Sequence, residues 1–247
     1  DWRKIMPFYT MPDQEKLFVR RVGEGEPVLV LSGLGMQSWQ WLPFLFSNRN
    51  QYEFIIPDWR GFGGSKNCVI PSMDAISSHW NDVDALIKLL NLDQFILMGY
   101  SMGATTAMHG MKHGDLAKKI KAYLHIDQTP KIAVDDTWQY GLFGTKYSQF
   151  KSLLLDIQTL LLDYKSAKRL EDLPKDIRYQ LECPTTFFIG RDSTLYPETG
   201  QTLVANSLAN AQTIYFERSG HTPLITEPRK FSQEIGRFLS SNSLDAA

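Results

Sequence analysis

The stretch from Phe95 to Lys112 changes its period at a five-residue hinge, Gly99-Tyr100-Ser101-Met102-Gly103, and this restricts the fold more than any other feature of the chain. Phe95-Ile96-Leu97-Met98 is a short, continuous apolar run, the pattern of a strand buried on both faces of a parallel sheet. Ala104 to Lys112 alternates small and larger residues as a packed helix does. A strand that passes directly into a helix needs a sharp turn, and side chains at Gly99 or Gly103 would collide where the two cross. Ser101 at the apex is forced into a strained conformation, and strain of about 1–3 kcal/mol at one residue persists where it serves function.

The rest of the chain repeats the alternation. Leu17 to Arg20 and Val28 to Leu31 read as strands, the second ending in Ser32-Gly33-Leu34-Gly35; Phe54 to Pro57 reads as another, ending at Asp58. From Met73 to Leu90, the residues Ile76, Trp80, Val83, Ile87 and Leu90 recur at three- and four-residue spacings and describe one helical face. Ala122 to Ile126, Thr185 to Gly190 and Thr213 to Phe216 supply three more strands, with a helix expected around Gly200 to Leu208 and a closing helix from Pro228 to Leu239. Strands alternating with helices imply an α/β fold, a parallel sheet covered by helices on both faces.

From about Lys131 to Leu181 the alternation stops, leaving only helical pattern such as Phe150, Leu153, Leu154, Ile157 and Leu161. That length is too great for a plain loop. Inserted after a strand end, it would stand over the carboxyl edge of the sheet, where ligands of open α/β folds bind. The expected organisation is therefore a core of residues 1–130 and 182–247 with a helical lid over 131–181.

Composition excludes more than it selects. With 26 basic and 27 acidic residues among 247, the net charge of -1 provides no field for nucleic acid or an anionic membrane, and partners are expected to be small and largely uncharged. Cys68 and Cys183 have no metal-ligand spacing and are read as two free thiols, which leans towards a cytoplasmic protein. No apolar run approaches a membrane span, so no stable membrane insertion is expected. The chain does not begin with Met, which leaves room for a removed leader. Nothing in the sequence fixes an oligomeric state.

A serine hydroxyl is a poor nucleophile at neutral pH and needs a base. Of the five histidines, His221 in Ser219-Gly220-His221-Thr222-Pro223 lies just after the last strand, on a loop at the same sheet edge as Ser101. His79, His109, His113 and His125 fall within or beside helices and strands and read as packing or surface residues. Acyl transfer also needs donors for the developing oxyanion. The N–H of Met102, which follows the serine, is one candidate, and that of Leu34 in the glycine-bearing loop is the other.

Together these motifs resemble the α/β-hydrolase superfamily over nearly the whole chain outside the insertion. The likeness is carried by the Gly33 loop with Trp39 downstream, Asp58-Trp59-Arg60-Gly61-Phe62-Gly63-Gly64-Ser65, the elbow around Ser101, and Gly220-His221. It implies a mostly parallel central sheet with helices on both faces and a helical lid after the sixth strand. It also implies that Asp58 and Arg60 hold a loop and do no chemistry. In the family's common arrangement the triad acid stands three residues past a glycine and four before a proline. Counted from Gly190 and Pro197 that position is Ser193, which cannot hold an imidazolium. Two acids remain open: Asp127, at the end of the preceding strand and favoured for that placement, and Asp192 as the alternative.

The resemblance implies hydrolysis of a carboxylic ester of a small to medium apolar substrate through a Ser-His-Asp acyl-enzyme, with no metal or cofactor required. Met36 and Trp39 near the mouth, with Trp138 and Phe143 at the lid entrance, are the expected pocket residues. The same fold hosts other activities, which remain as alternatives: cofactor-free dioxygenation, carbon–carbon bond hydrolysis, perhydrolysis, and a non-enzymatic ligand receptor.

Overall fold

The computed structural model describes residues 8–71, 75–127, 181–192, 202, 205–206 and 208–243. Within them one eight-stranded sheet comprises β1 (Phe8–Thr10), β2 (Lys16–Val22), β3 (Glu26–Leu31), β4 (Tyr52–Pro57), β5 (Phe95–Tyr100), β6 (Ile120–Ile126), β7 (Thr185–Gly190) and β8 (Ala211–Phe216). The strands lie in the order β1-β2-β4-β3-β5-β6-β7-β8. β2 runs antiparallel to both β1 and β4, and the remaining pairs are parallel. The described helices are α1 (Leu42–Leu45), α2 (Ala75–Leu89), α3 (Met102–His113), α4 (Leu116–Lys119), α5 (Pro223–Thr226) and α6 (Pro228–Ser241).

Each central strand feeds two cores, because successive side chains point to opposite faces. Leu29, Leu31 and Leu97 pack with Trp80, Val83, Ile87, Met108 and Met111, which puts α2 and α3 on one face. Val28, Val30, Ile96 and Met98 pack with Phe44, Leu45, Phe231, Ile235, Phe238 and Leu239, which puts α1 and α6 on the other. This is why β5 reads as unbroken apolar sequence: all six of its residues are buried. Phe231 anchors the second core, its ring lying 5.1 Å from that of Phe44, 5.8 Å from Phe188 and 6.0 Å from Phe216.

The chain leaves β3 towards α1 on one face and leaves the adjacent β5 towards α3 on the other, so the two connections diverge between neighbouring parallel strands. Such a switch point opens a crevice at the carboxyl edge, and both Ser32-Gly33-Leu34-Gly35 and Ser101 stand there.

The expected mostly parallel sheet with helices on both faces is the one observed. Strand β1 was not anticipated: it is a three-residue edge strand with Phe8 exposed, too short to show a period. The antiparallel setting of β2 was not anticipated either. Residues 131–180 of the expected lid over 131–181, and most of the expected helix around Gly200 to Leu208, lie outside the described residues. Cys68 and Cys183 are free thiols, as expected. Among the described residues, no helix is long and apolar enough to cross a membrane.

Candidate active site

Ser101 ends the ladder of β5 and opens α3 with φ 53° and ψ -118°, a left-handed setting that an L-residue adopts only under constraint. Its N–H donates to the carbonyl of Ile126 at 3.0 Å, tying the turn to the neighbouring strand β6. The flanking glycines do the steric work expected of them. A Cβ on Gly103 would run into the Leu31 carbonyl, and one on Gly99 would come within 2.9 Å of Ala104 Cα.

Three strand ends then converge. Nε2 of His221 lies 2.9 Å from Ser101 Oγ, and Nδ1 lies 2.6 Å from Oδ2 of Asp127, the residue immediately after β6. Asp127 is fully buried, and its other oxygen, Oδ1, accepts the Gly190 N–H at 3.0 Å. A carboxylate on Nδ1 selects the tautomer that carries its proton there, which leaves Nε2 to accept from the Ser101 hydroxyl. Asp192, by contrast, is exposed in the turn after β7, and its N–H donates to the Ser219 carbonyl at 3.0 Å. Ser193 lies outside the described residues.

The glycine-bearing loop after β3 reaches the serine. A Cβ on Gly33 would lie 3.3 Å from Ser101 Cβ, so the loop passes close to the serine at Gly33. Met102 opens α3, and the first N–H groups of a helix have no partner within it and sit at its positive end. Sequence reasoning missed what holds this loop. The indoles of Trp41 and Trp59, both fully buried, donate to Ser32 Oγ at 3.0 Å and to the Ser32 carbonyl at 2.9 Å. Nothing in the sequence spacing of Trp41 and Trp59 marks Ser32 as their shared partner.

The histidine loop is held from both sides. Glu227 Oε2 accepts the Arg218 N–H at 2.9 Å and the Ser219 hydroxyl at 2.6 Å, while Thr226 Oγ1 donates to Ser219 Oγ at 2.6 Å. Burial opposes the charge on Glu227, but the hydrogen bonds from Ser219 and Arg218 outweigh it and keep the carboxyl below its ordinary value. Tyr100 reaches the loop from the sheet, its hydroxyl donating to the His221 carbonyl at 2.9 Å.

Asp58 and Arg60 are placed as expected of loop-holding groups. Asp58 accepts from the N–H groups of Ser38 at 2.6 Å and Gly64 at 2.8 Å. Arg60 makes two 2.7 Å hydrogen bonds to the buried Asp82 and also pairs with Asp13. Of the expected pocket residues, Met36 is buried, whereas Trp39 is 55% exposed, its indole donating to Gln37 Oε1 at 3.0 Å; Trp138 and Phe143 lie outside the described residues. His125 is buried in β6 with Nδ1 3.0 Å from the Tyr123 hydroxyl, and His79 stacks on Trp59, so both are packing histidines as read from sequence. Among the described residues, no group of three or more His, Cys, Asp or Glu side chains is arranged to hold a metal ion.

This fold, with a serine elbow and a histidine at the carboxyl edge of the sheet, defines a class. The model of the alpha/beta hydrolase fold family matches residues 26–149, and the chain belongs to that family. It is 22% identical over 244 residues to a pimeloyl-[acyl-carrier protein] methyl ester esterase of Legionella pneumophila (strain Corby), covering 89% of this chain and 97% of that one. Among solved structures it resembles a thermophilic esterase from Thermogutta terrifontis, with TM-score 0.74 at 20% identity over 96% of this chain and 98% of the other. A bromoperoxidase from Bacillus anthracis matches equally well, with TM-score 0.74 at 20% identity over 95% and 99%. The protein is an enzyme of the serine hydrolase superfamily.

Proposed function

We propose that the protein hydrolyses a carboxylic ester of a small to medium apolar substrate through a covalent acyl-enzyme. Ser101 attacks the ester carbonyl while His221 takes its proton; the alcohol leaves with that proton, and water, activated by the same imidazole, releases the acid. Asp127 holds the imidazole in the required tautomer, and the N–H groups of Leu34 and Met102 receive the oxyanion. The observation that carries this reading is the continuous relay of Asp127 Oδ2 to His221 Nδ1 at 2.6 Å and His221 Nε2 to Ser101 Oγ at 2.9 Å, ending on a strained serine. The relative named for a methyl ester supports an ester as the substrate class.

The test is turnover of a panel of p-nitrophenyl esters of increasing acyl length, with covalent labelling by a fluorophosphonate. Wild type is expected to turn over and to be labelled, and Ser101→Ala to lose nearly all turnover and all labelling. One observation favours a second reading, cofactor-free dioxygenation: the acid facing His221 follows β6, the placement that resembles members with that activity. There the histidine–aspartate pair would deprotonate a substrate hydroxyl, and Ser101→Ala would keep a sizeable part of the activity.

A further inference from the structure

Tyr100 has no part in the relay, yet it contacts both His221 and the glycine-bearing loop after β3. It is the last residue of β5, paired in the ladder with Ile126, so its backbone is fixed by the centre of the sheet. Its hydroxyl donates to the His221 main-chain carbonyl at 2.9 Å. Its ring stacks on the His221 imidazole, with centroids 5.4 Å apart and planes 25° from parallel. On another side the ring packs on Gly33, where an added Cβ would come within 2.9 Å of Tyr100 Cδ1 and Cε1. Trp41 meets it edge-on at 6.4 Å and 84°, with its own indole on Ser32.

His221 is carried on a loop, and a loop residue has backbone and side-chain freedom that a strand residue lacks. Proton transfer from Ser101 needs the imidazole within a few tenths of an ångström of one position. The hydrogen bond to the carbonyl restricts the backbone of His221, and the stacked ring restricts the tilt of its imidazole. Both come from one rigid side chain adjacent to the nucleophile. We infer that Tyr100 is a positioning residue that sets the His221 imidazole against Ser101 and keeps the Gly33–Leu34 backbone in register with both. This rests on the reading of Ser101 and His221 given above.

Two variants separate the contacts. Tyr100→Phe keeps the ring and removes the donor; Tyr100→Leu removes both and leaves the site otherwise apolar. On a p-nitrophenyl ester, Tyr100→Phe is expected to lower kcat about 3- to 10-fold, and Tyr100→Leu about 100-fold, with KM within about twofold of wild type in each. A purely structural residue would instead lower the melting temperature and leave kcat per folded molecule unchanged. The second readout does not depend on ester hydrolysis: the low-field proton resonance of the His221 Nδ1–H bonded to Asp127. It is expected to be sharp in wild type, retained in Tyr100→Phe, and broadened or lost in Tyr100→Leu while the protein remains folded. A Tyr100→Leu protein that keeps both its resonance and its kcat overturns the inference. Should wild type hydrolyse no ester and resist the fluorophosphonate, the proposed function falls, and the resonance in Tyr100→Leu alone decides: loss supports positioning by Tyr100, persistence refutes it.

Discussion

Oδ2 of Asp127 lies 2.6 Å from Nδ1 of His221 although the two residues are 94 positions apart in the chain, and the Gly190 N–H holds the other carboxylate oxygen. The acid is thus fixed from its own strand and from the next. Asp127→Asn keeps the shape but reverses the preferred tautomer, and kcat on a p-nitrophenyl ester is expected to fall by about 10⁴, as the same change does in a serine-protease triad. Asp192→Asn, at an exposed turn, is expected to stay within about threefold of wild type, since surface substitutions away from such features change little. The reverse ranking of the two variants would move the acid to Asp192.

Glu227 joins the two stems of the histidine loop. Its folded carboxyl lies below its ordinary value, so its contribution to stability is present above the unfolded value and is lost as the pH falls through the folded one. The difference in melting temperature between wild type and Glu227→Gln is therefore expected to be largest near neutrality and to shrink on acidification. A difference that stays constant down to pH 3 would show that the charge on Glu227 contributes nothing.

Arg60 is buried between Asp82 and Asp13, and burial pushes the Asp82 carboxyl up despite the guanidinium beside it. Arg60→Met leaves that carboxylate buried without its cation, at an expected cost of about 3–5 kcal/mol, much of which Asp82→Asn in the same chain should restore. Because the hydrogen bonds of Arg60 go to Asp82, Asp13 and the Val69 carbonyl, kcat per folded molecule is expected to be unchanged at a temperature where the variant remains folded. Denaturant melts together with active-site titration measure both quantities.

Phe231 is the shared ring of the second core. Phe231→Ala is expected to cost about 3–5 kcal/mol, because the aromatic cluster of Phe44, Phe188 and Phe216 cannot collapse onto the space left. Urea unfolding reads this directly. A cost under 1 kcal/mol would mean that α6 is not anchored through this residue.

Much of this was legible beforehand, for local reasons. β5 is buried on both faces and so is apolar at every position, and α2 shows its inward face through Ile76, Trp80, Val83 and Ile87. The elbow was legible because its sterics are short-range: Gly99 and Gly103 sit against the atoms of their own turn and of the adjoining strand. β1 was hidden, since three residues at an edge carry no period, and the antiparallel β2 was hidden because a strand's period is the same in either direction. Trp41 and Trp59 are core residues; that both also brace Ser32 depends on where two loops happen to meet.

The sequence by itself determined the layered α/β architecture and the tight, strained turn at Ser101, because periodicity and tight-turn sterics are properties of neighbouring residues. Which carboxylate faces His221, and that the tyrosine beside the serine grips it, only the tertiary structure decided. Asp127 reaches His221 because β6, β7 and β8 lie side by side in the sheet, and Tyr100 reaches it because the loop after β8 folds back over the end of β5. Those are relations between strand ends, and spacing along the chain carries no information about them.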